Sequence, residues 1–228
     1  SLVAAQRLRE SNERIDFIMR EINHRYKNML SLIGVIARQT SDPNPKQFRE
    51  TFSKRLRSLA ASQDLLVSNL VSNIEKDILL DPLLRTQLAH FETLLDTRIF
   101  LSGPDISIQS PDRAQTLCMA IYELSTNAAK YGSLTNDTGT IHITWDILDE
   151  NSEPGFSLTW RERGGPPVDA PSEHGFGSQV TAKMIQLTFK GNIETRFDRG
   201  GFEWHMTCPL AMLGTSVEAQ KSKVGAIQ

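Results

Sequence analysis

The sequence predicts two domains: an all-α helical hairpin that pairs with a second copy into a dimeric four-helix bundle, then an α+β sandwich. Three observations predict this. Residues 1 to about 70 hold almost no glycine and repeat their apolar side chains at helical steps. From about residue 71 the pattern changes to strands and helices that alternate without a regular βαβ order, as when helices cover one face of a mixed sheet. A length of 228 residues is enough for one large or two small cores.

The elements follow in order. Ile15, Ile18, Ile22, Tyr26, Met29, Ile33 and Ile36 recur at steps of three and four, the spacing of a helix packed lengthwise on a partner. The stretch TSDPNPK, with Pro43 and Pro45, ends that helix. Phe48, Phe52, Leu56, Leu59, Leu66 and Leu70 continue a seven-residue rhythm interrupted by Gln63. Two such helices joined by a short turn make an antiparallel hairpin, and one hairpin encloses no core of its own, so a homodimer is expected. Beyond residue 71 an extended lead-in precedes a helix near Asp81 and Pro82, and RIFLSG and ISIQS read as strands separated by Gly103-Pro104. Pro111 to Tyr131 is a helix with Leu117, Ile121, Leu124 and Ala128 on one face. TIHITWDI and GFSLTW are strands, a glycine- and proline-rich loop runs from Arg163 to Gly175, and a helix spans about Gly177 to Phe189. GNIETRF and GFEWHMTCPL pair about Arg199-Gly200-Gly201. The domains expected are thus 1–70, 71–212 and a loose tail, 213–228.

Composition narrows the function. A net charge of −2 supplies no basic field to collect nucleic acid. Cys118 and Cys208 sit in apolar runs without metal-ligand spacing, as expected of reduced core residues in a cytoplasmic protein. No run reaches the roughly 18 apolar residues of a membrane span, and no signal peptide opens the chain. Beginning at Ser1, the chain reads as a piece of a longer protein.

Three stretches carry chemistry. In REINHRYKNML, His24 lies two residues from both Ile22 and Tyr26, about 200° around the helix from the apolar stripe. It shares that outer face with Glu21, Lys27, Asn28 and Ser31. No acid, cysteine or histidine stands at i+3 or i+4 to complete a metal pair, so the alternatives are a solvated side chain or a reactive imidazole. In AIYELSTNAAKYGSL, Glu123, Asn127 and Lys130 place a carboxylate, an amide and an ammonium on one helix face. Such a line suits hydrated Mg²⁺, phosphate oxygens and a proton to be oriented; it also suits an ordinary solvated face. In TWRERGGPPVDAPSEHGFGSQV, Gly164-Gly165 and Gly175-x-Gly177 bracket an irregular loop that leads into a helix start. There backbone N–H groups and the Ser178 hydroxyl form an anion site, or simply a turn.

Together these stretches resemble sensor histidine kinases of the HWE-type branch. HRYKN resembles its phosphoacceptor box, ELSTNAAKYGSL its N box, WRERGGP its W-x-E form of the first glycine box, and GFGS the second. The resemblance runs in order from about Glu21 to Pro209. It implies a dimerisation and histidine-phosphotransfer hairpin followed by an ATP-binding domain of the Bergerat (GHKL) type. By the same resemblance His24 is the phosphorylated residue, Asn127 a Mg²⁺ ligand and Lys130 a phosphate contact, with Tyr131 beside them. Glu123 would assist proton removal or hold metal-bound water, and Glu162 would accept a hydrogen bond from the adenine amino group. Gly164, Gly165, Gly175, Gly177 and Ser178 would line the nucleotide, and residues 163 to 174 would form a short lid. ATP and Mg²⁺ are the implied cofactors, and a response-regulator receiver domain and a missing N-terminal sensor domain the implied partners. The place of the branch's N-box histidine is taken by Tyr122, and Arg25 follows His24 where many relatives carry an acid. Those two departures favour an alternative, a non-catalytic phosphotransfer protein or signalling scaffold; a serine kinase or ATPase on the same ATP fold is a third reading, disfavoured by the HRYKN box on a dimer-like hairpin.

Overall fold

A computed structural model describes residues 2–40, 44–72, 78–150, 153–167 and 179–214. The chain divides into two compact units, Ser1–Leu56 and Arg57–Gln228, the division falling within the second helix.

The first unit opens with α1 (Leu2–Gln39), one unbroken helix, and contains the start of α2 (Pro45–Ser72). The connection is short because both ends are capped by side chains. The Thr40 hydroxyl donates to the Ile36 carbonyl (2.7 Å), and Asn44 Oδ1 accepts from the Lys46 N–H (2.9 Å) just ahead of Pro45. Asparagine before a first-turn proline is a strong helix start, since proline lacks only an N–H that would have no helical partner. Arg55 Nη1 reaches back from α2 to Thr40 Oγ1 (2.9 Å). Along the stripe of α1, Ile36 is buried, whereas Ile15, Ile22 and Tyr26 are about half exposed in the single chain, as are Met19 and Leu30. Gln63, Leu66, Leu70, Ile18 and His24 have side chains outside the described set.

The second unit is built on a five-stranded mixed sheet. In chain order its elements are β1 (Ile78–Leu79), α3 (Leu80–Gln87), β2 (Ile99–Ser102), β3 (Ser107–Ile108), α4 (Pro111–Lys130), β4 (Thr140–Glu150) and β5 (Glu153–Arg163). A π-helical turn (Gln179–Met184) runs into α5 (Ile185–Phe189), and β6 (Asn192–Asp198) and β7 (Gly201–Pro209) follow. The order across the main sheet is β2-β4-β5-β7-β6, with β2 parallel to β4 and every other pair antiparallel. Alternation decides its faces. Ile141, Ile143 and Trp145 of β4, Phe156, Leu158 and Trp160 of β5, and Trp204, Met206 and Cys208 of β7 are all buried. They share the core with Leu80, Leu83 and Leu84 of α3, Leu117, Cys118, Ile121 and Leu124 of α4, and Ile185 and Phe189 of α5. Each such side chain contributes about 1.5–3 kcal/mol by leaving water. The opposite face is polar: Thr159 Oγ1 lies 2.8 Å from His205 Nδ1, and Arg161 pairs with Glu203 at 2.8 Å.

Two expectations shift. The helix begun near Asp81 stops at Gln87, and Ala89–Leu94 is a 3₁₀ segment kinked at Phe91. The run ISIQS contributes only Ser107–Ile108, which pair with β1 in a separate two-stranded sheet. Ser110, whose hydroxyl accepts the Arg113 N–H, and Pro111 start α4 before the strand can lengthen. Among the described residues no helix is long and apolar enough to cross a membrane. The expected tail beyond Gly214 lies outside them.

Candidate functional site

The C-terminal end of α4 and the end of β5 meet at one carboxylate. α4 carries Glu123, Asn127 and Lys130, with Glu123 buried and the other two exposed. Tyr131, the residue after its last turn, is largely exposed. The helix closes as the Gly132 N–H donates to the Ala128 carbonyl (3.1 Å), and a 3₁₀ turn, Ser133–Thr135, follows. That turn directs the Ser133 N–H at Glu162 Oε2 (2.8 Å), and the Trp160 indole N–H donates to Oε1 (3.1 Å). Trp160 and Glu162 lie two apart on a strand, hence on the same face.

Glu162 is only 3% exposed, and burial pushes its carboxyl up from the ordinary value. The Ser133 and Trp160 N–H groups oppose that shift by bonding to the charged form. The Ser133 hydroxyl also favours the charged form, although it is buried without a partner in hydrogen-bonding geometry among the described residues. Each carboxylate oxygen accepts one N–H and retains a lone pair, so the group can accept again from a donor on a ligand.

Glycines make this approach of backbone to backbone possible. A Cβ on Gly132 would overlap Glu162 Oε2, one on Gly139 the Ser133 carbonyl, and one on Gly201 the Glu162 carbonyl. A Cβ on Gly165 would lie 2.7 Å from Ser133 Cα, and Gly164 has a φ of +73°. The structure thus brings the first glycine pair, the end of the N-box helix and Glu162 into one knot. Asn136 joins them: its Nδ2 donates to the Gly164 carbonyl (2.8 Å), and its Oδ1 accepts the Gly139 N–H (2.7 Å).

Several expected site residues are not brought into this knot. Gly175, Gly177 and Ser178, and residues 168–174 of the expected lid, lie outside the described residues. His24 lies on α1, in the other unit. Among the described residues no group of three His, Cys, Asp or Glu side chains could hold a metal. Asn127, exposed on α4, offers an amide oxygen that could serve as one ligand to a hydrated cation.

Sequence reasoning missed the roles of Ser133, Gly132, Gly139, Gly201 and Asn136, and of Trp160 as a donor. The i, i+2 spacing of Trp160 and Glu162 and the N-D-T-G turn at Asn136–Gly139 were the available signals.

Residues 21–105 match the model of the HWE histidine kinase family. A blue-light-activated histidine kinase of Brucella anthropi is 33% identical over 196 residues, covering 85% of this chain and 39% of that protein. The protein of the same name from Brucella ovis is 33% identical over 211 residues, 91% of this chain and 42% of its own length. The chain belongs to the HWE-type histidine kinases. It spans about two fifths of the length of the curated relatives it matches. Two solved structures share its fold. The blue-light activated histidine kinase of Erythrobacter litoralis EL346 has a TM-score of 0.57 at 17% identity, over 86% of this chain and 60% of that one. The histidine kinase domain of the same protein has a TM-score of 0.56 at 12% identity, over 83% and 96%.

In this HWE-type chain the N-box histidine position is Tyr122, and the structure gives it an imidazole neighbour. The His90 ring centroid lies 5.8 Å from that of Tyr122 and 4.2 Å from that of Phe91. Burial lowers the His90 pKa, so its neutral form is favoured there.

Proposed function

We propose that the chain is a sensor histidine kinase core that phosphorylates His24 from Mg-ATP and passes the phosphoryl group to an aspartate of a response-regulator receiver domain. The observation that carries this reading is the Glu162 cradle: a buried carboxylate with spare acceptor capacity at the end of a helix that carries Asn127 and Lys130. An acceptor-only group with a lone pair to spare on each oxygen suits the exocyclic amine of adenine. With the base at Glu162, the triphosphate would extend along α4, where Lys130 neutralises phosphate charge and Asn127 ligates the metal. Mg²⁺, when bound, would neutralise the charge that develops on the phosphate oxygens. Gly175, Gly177 and Ser178 would complete the phosphate site, and Tyr131 would flank it.

The transfer step balances without a further reactant. The Nε2 lone pair of neutral His24 attacks the γ-phosphorus, an N–P bond forms, and the bond to the bridging oxygen breaks with its electron pair leaving on ADP. The imidazolium then loses its Nδ1 proton to water, Glu21 or Glu123. Neutral imidazole needs no strong base at pH 7, which accommodates Arg25 in the place after His24.

Residues 1–70 would serve as the dimerisation and phosphotransfer hairpin and 71–212 as the ATP domain. The half-exposed Ile15, Ile22 and Tyr26 of α1 support a homodimer, in which a second copy covers the stripe. An N-terminal sensor would act through α1, and a cytoplasmic setting suits the reduced Cys118 and Cys208. The second reading, a non-catalytic phosphotransfer or scaffold protein, is favoured by Tyr122 and Arg25.

The test is incubation with γ-labelled ATP and Mg²⁺. An acid-labile, alkali-stable label that disappears in His24→Ala while ATP binding persists supports the kinase. Label persisting in His24→Ala overturns the assignment, and ATP binding without label favours the scaffold.

A further inference from the structure

One arginine outside the motifs ties down the turn beside Glu162. Arg98 stands just before β2, and its main chain is fixed on both sides. Its N–H donates to the Leu94 carbonyl (2.8 Å), and its carbonyl accepts the Ile141 N–H (2.8 Å). From there the guanidinium spans three carbonyls of the turn that follows the N box. Nε donates to Gly139 O (2.8 Å), and Nη2 donates to Asn136 O (2.6 Å) and Ser133 O (3.3 Å). Arg98 makes no ion pair among the described residues, so the planar fork is directed wholly at the main chain. This is a use of arginine that lysine does not reproduce. The same turn is held from its other side by Asn136 through Gly164 and Gly139. Its first residue, Ser133, supplies the N–H that anchors Glu162 Oε2.

We infer that Arg98 and Asn136 are positioning residues for base recognition: they fix the Ser133–Gly139 turn, and through the Ser133 N–H they hold the Glu162 carboxylate at the angle that selects a 6-aminopurine. This rests on the reading that the base lies against Glu162. Neither residue contacts the nucleotide. Releasing the turn lets the Ser133 N–H withdraw, and the buried carboxylate then turns toward whatever donor remains. The result is weaker binding of ATP and a smaller margin over GTP, whose 6-oxo group presents an acceptor to the carboxylate. Chemistry at the phosphates is left alone, because Asn127 and Lys130 lie on α4 ahead of the turn.

The experiment uses the whole chain and compares Arg98→Ala, Arg98→Lys and Asn136→Ala with the parent. It measures calorimetric Kd for ATP and GTP, KM and kcat for self-phosphorylation, and thermal melting. Arg98→Ala is expected to raise Kd and KM for ATP roughly tenfold, the loss of one charge-assisted hydrogen bond at the base, with kcat within about twofold. Arg98→Lys recovers part of the loss, and the preference for ATP over GTP narrows in step with Kd. A merely structural residue would lower the melting temperature and the folded fraction but leave KM and base preference untouched, and that result overturns the inference. Should Arg98→Ala fail to fold, Arg98→Lys and Asn136→Ala carry the same comparison. Glu162→Gln separates the two levels of argument. Unchanged ATP affinity in Glu162→Gln removes the base reading and this inference with it. Weakened affinity there, with parent-like Arg98 and Asn136 variants, removes the inference alone.

Discussion

Gly132→Ala is the substitution for which the structure makes the sharpest demand. A Cβ at residue 132 would occupy the position of Glu162 Oε2 and lie 3.0 Å from Ala128 Cα and from Glu162 Cδ. The Ala128 backbone belongs to α4 and cannot retreat, so the carboxylate must. Moving it breaks the Ser133 N–H bond to a buried charge, worth about 1.5–3 kcal/mol. Crowding in a packed interior costs about 1–3 kcal/mol more. Because part of the crowding is relieved by the same movement, the combined loss is roughly 2–4 kcal/mol. For a chain of this size that corresponds to a fall in Tm of roughly 5–15 °C. With the base placed against Glu162 as proposed, ATP affinity should fall with it, since its acceptor is displaced. Differential scanning calorimetry and ATP titration of the same preparation make the measurement. A Gly132→Ala protein that melts within about 1 °C of the parent and binds ATP normally would refute the claim that these elements meet without room for one methyl group.

Trp160→Phe keeps the aromatic bulk but removes the donor to Oε1, and it should raise the Glu162 pKa further. A raised folded-state pKa means stability that is present below the ordinary carboxyl value and lost as pH rises through the folded value, so denaturation curves of the variant should weaken more steeply with pH than those of the parent. Glu203→Gln acts with the opposite sign. The Arg161 hydrogen bond lowers the Glu203 pKa, so its contribution is present above the ordinary value and lost as pH falls through the lowered one. The pair is partly exposed, and the loss should be no more than about 1 kcal/mol and diminish in high salt. Trp204→Phe removes the indole hydrogen bond to the Thr181 carbonyl (2.6 Å), a loss of about 0.5–1.5 kcal/mol seen as a lower denaturation midpoint. On the proposed homodimer, Ile22→Asp places a charge in the covered stripe of α1, and light scattering should show a shift from dimer to monomer while the melting of the second unit is retained.

Much of the fold was legible where periodicity decides it. Leu117, Ile121, Leu124 and Ala128 form a helical stripe in the sequence and a buried stripe in α4. The alternation of TIHITWDI becomes the buried and exposed sides of β4. What was not legible depends on partners distant in sequence. Glu123 looks like part of a solvated face beside Lys130, yet it is buried, because the elements packed on α4 are unknown to a helical wheel. The short ISIQS strand was misjudged because its partner is β1, 30 residues earlier in the pairing of Ile78 with Ile108. At the site, Glu162 could be singled out by motif, but its anchors could not. Ser133 is 29 residues away, Gly201 follows one further strand, and Arg98 precedes the N box altogether. Glycines that allow a close approach look in sequence like glycines that merely turn the chain.

The burial of Cys118 and Cys208 has a practical side. Both thiols are pushed up to about 12 by desolvation, so at neutral pH they present almost no thiolate to a maleimide or iodoacetamide. A probe cysteine at an exposed position of α1 and another from Lys190→Cys after α5 would then be the reactive pair with both native cysteines left in place. Paired fluorophores or spin labels there would report the separation of the two units on addition of nucleotide, with Cys118 and Cys208 unlabelled.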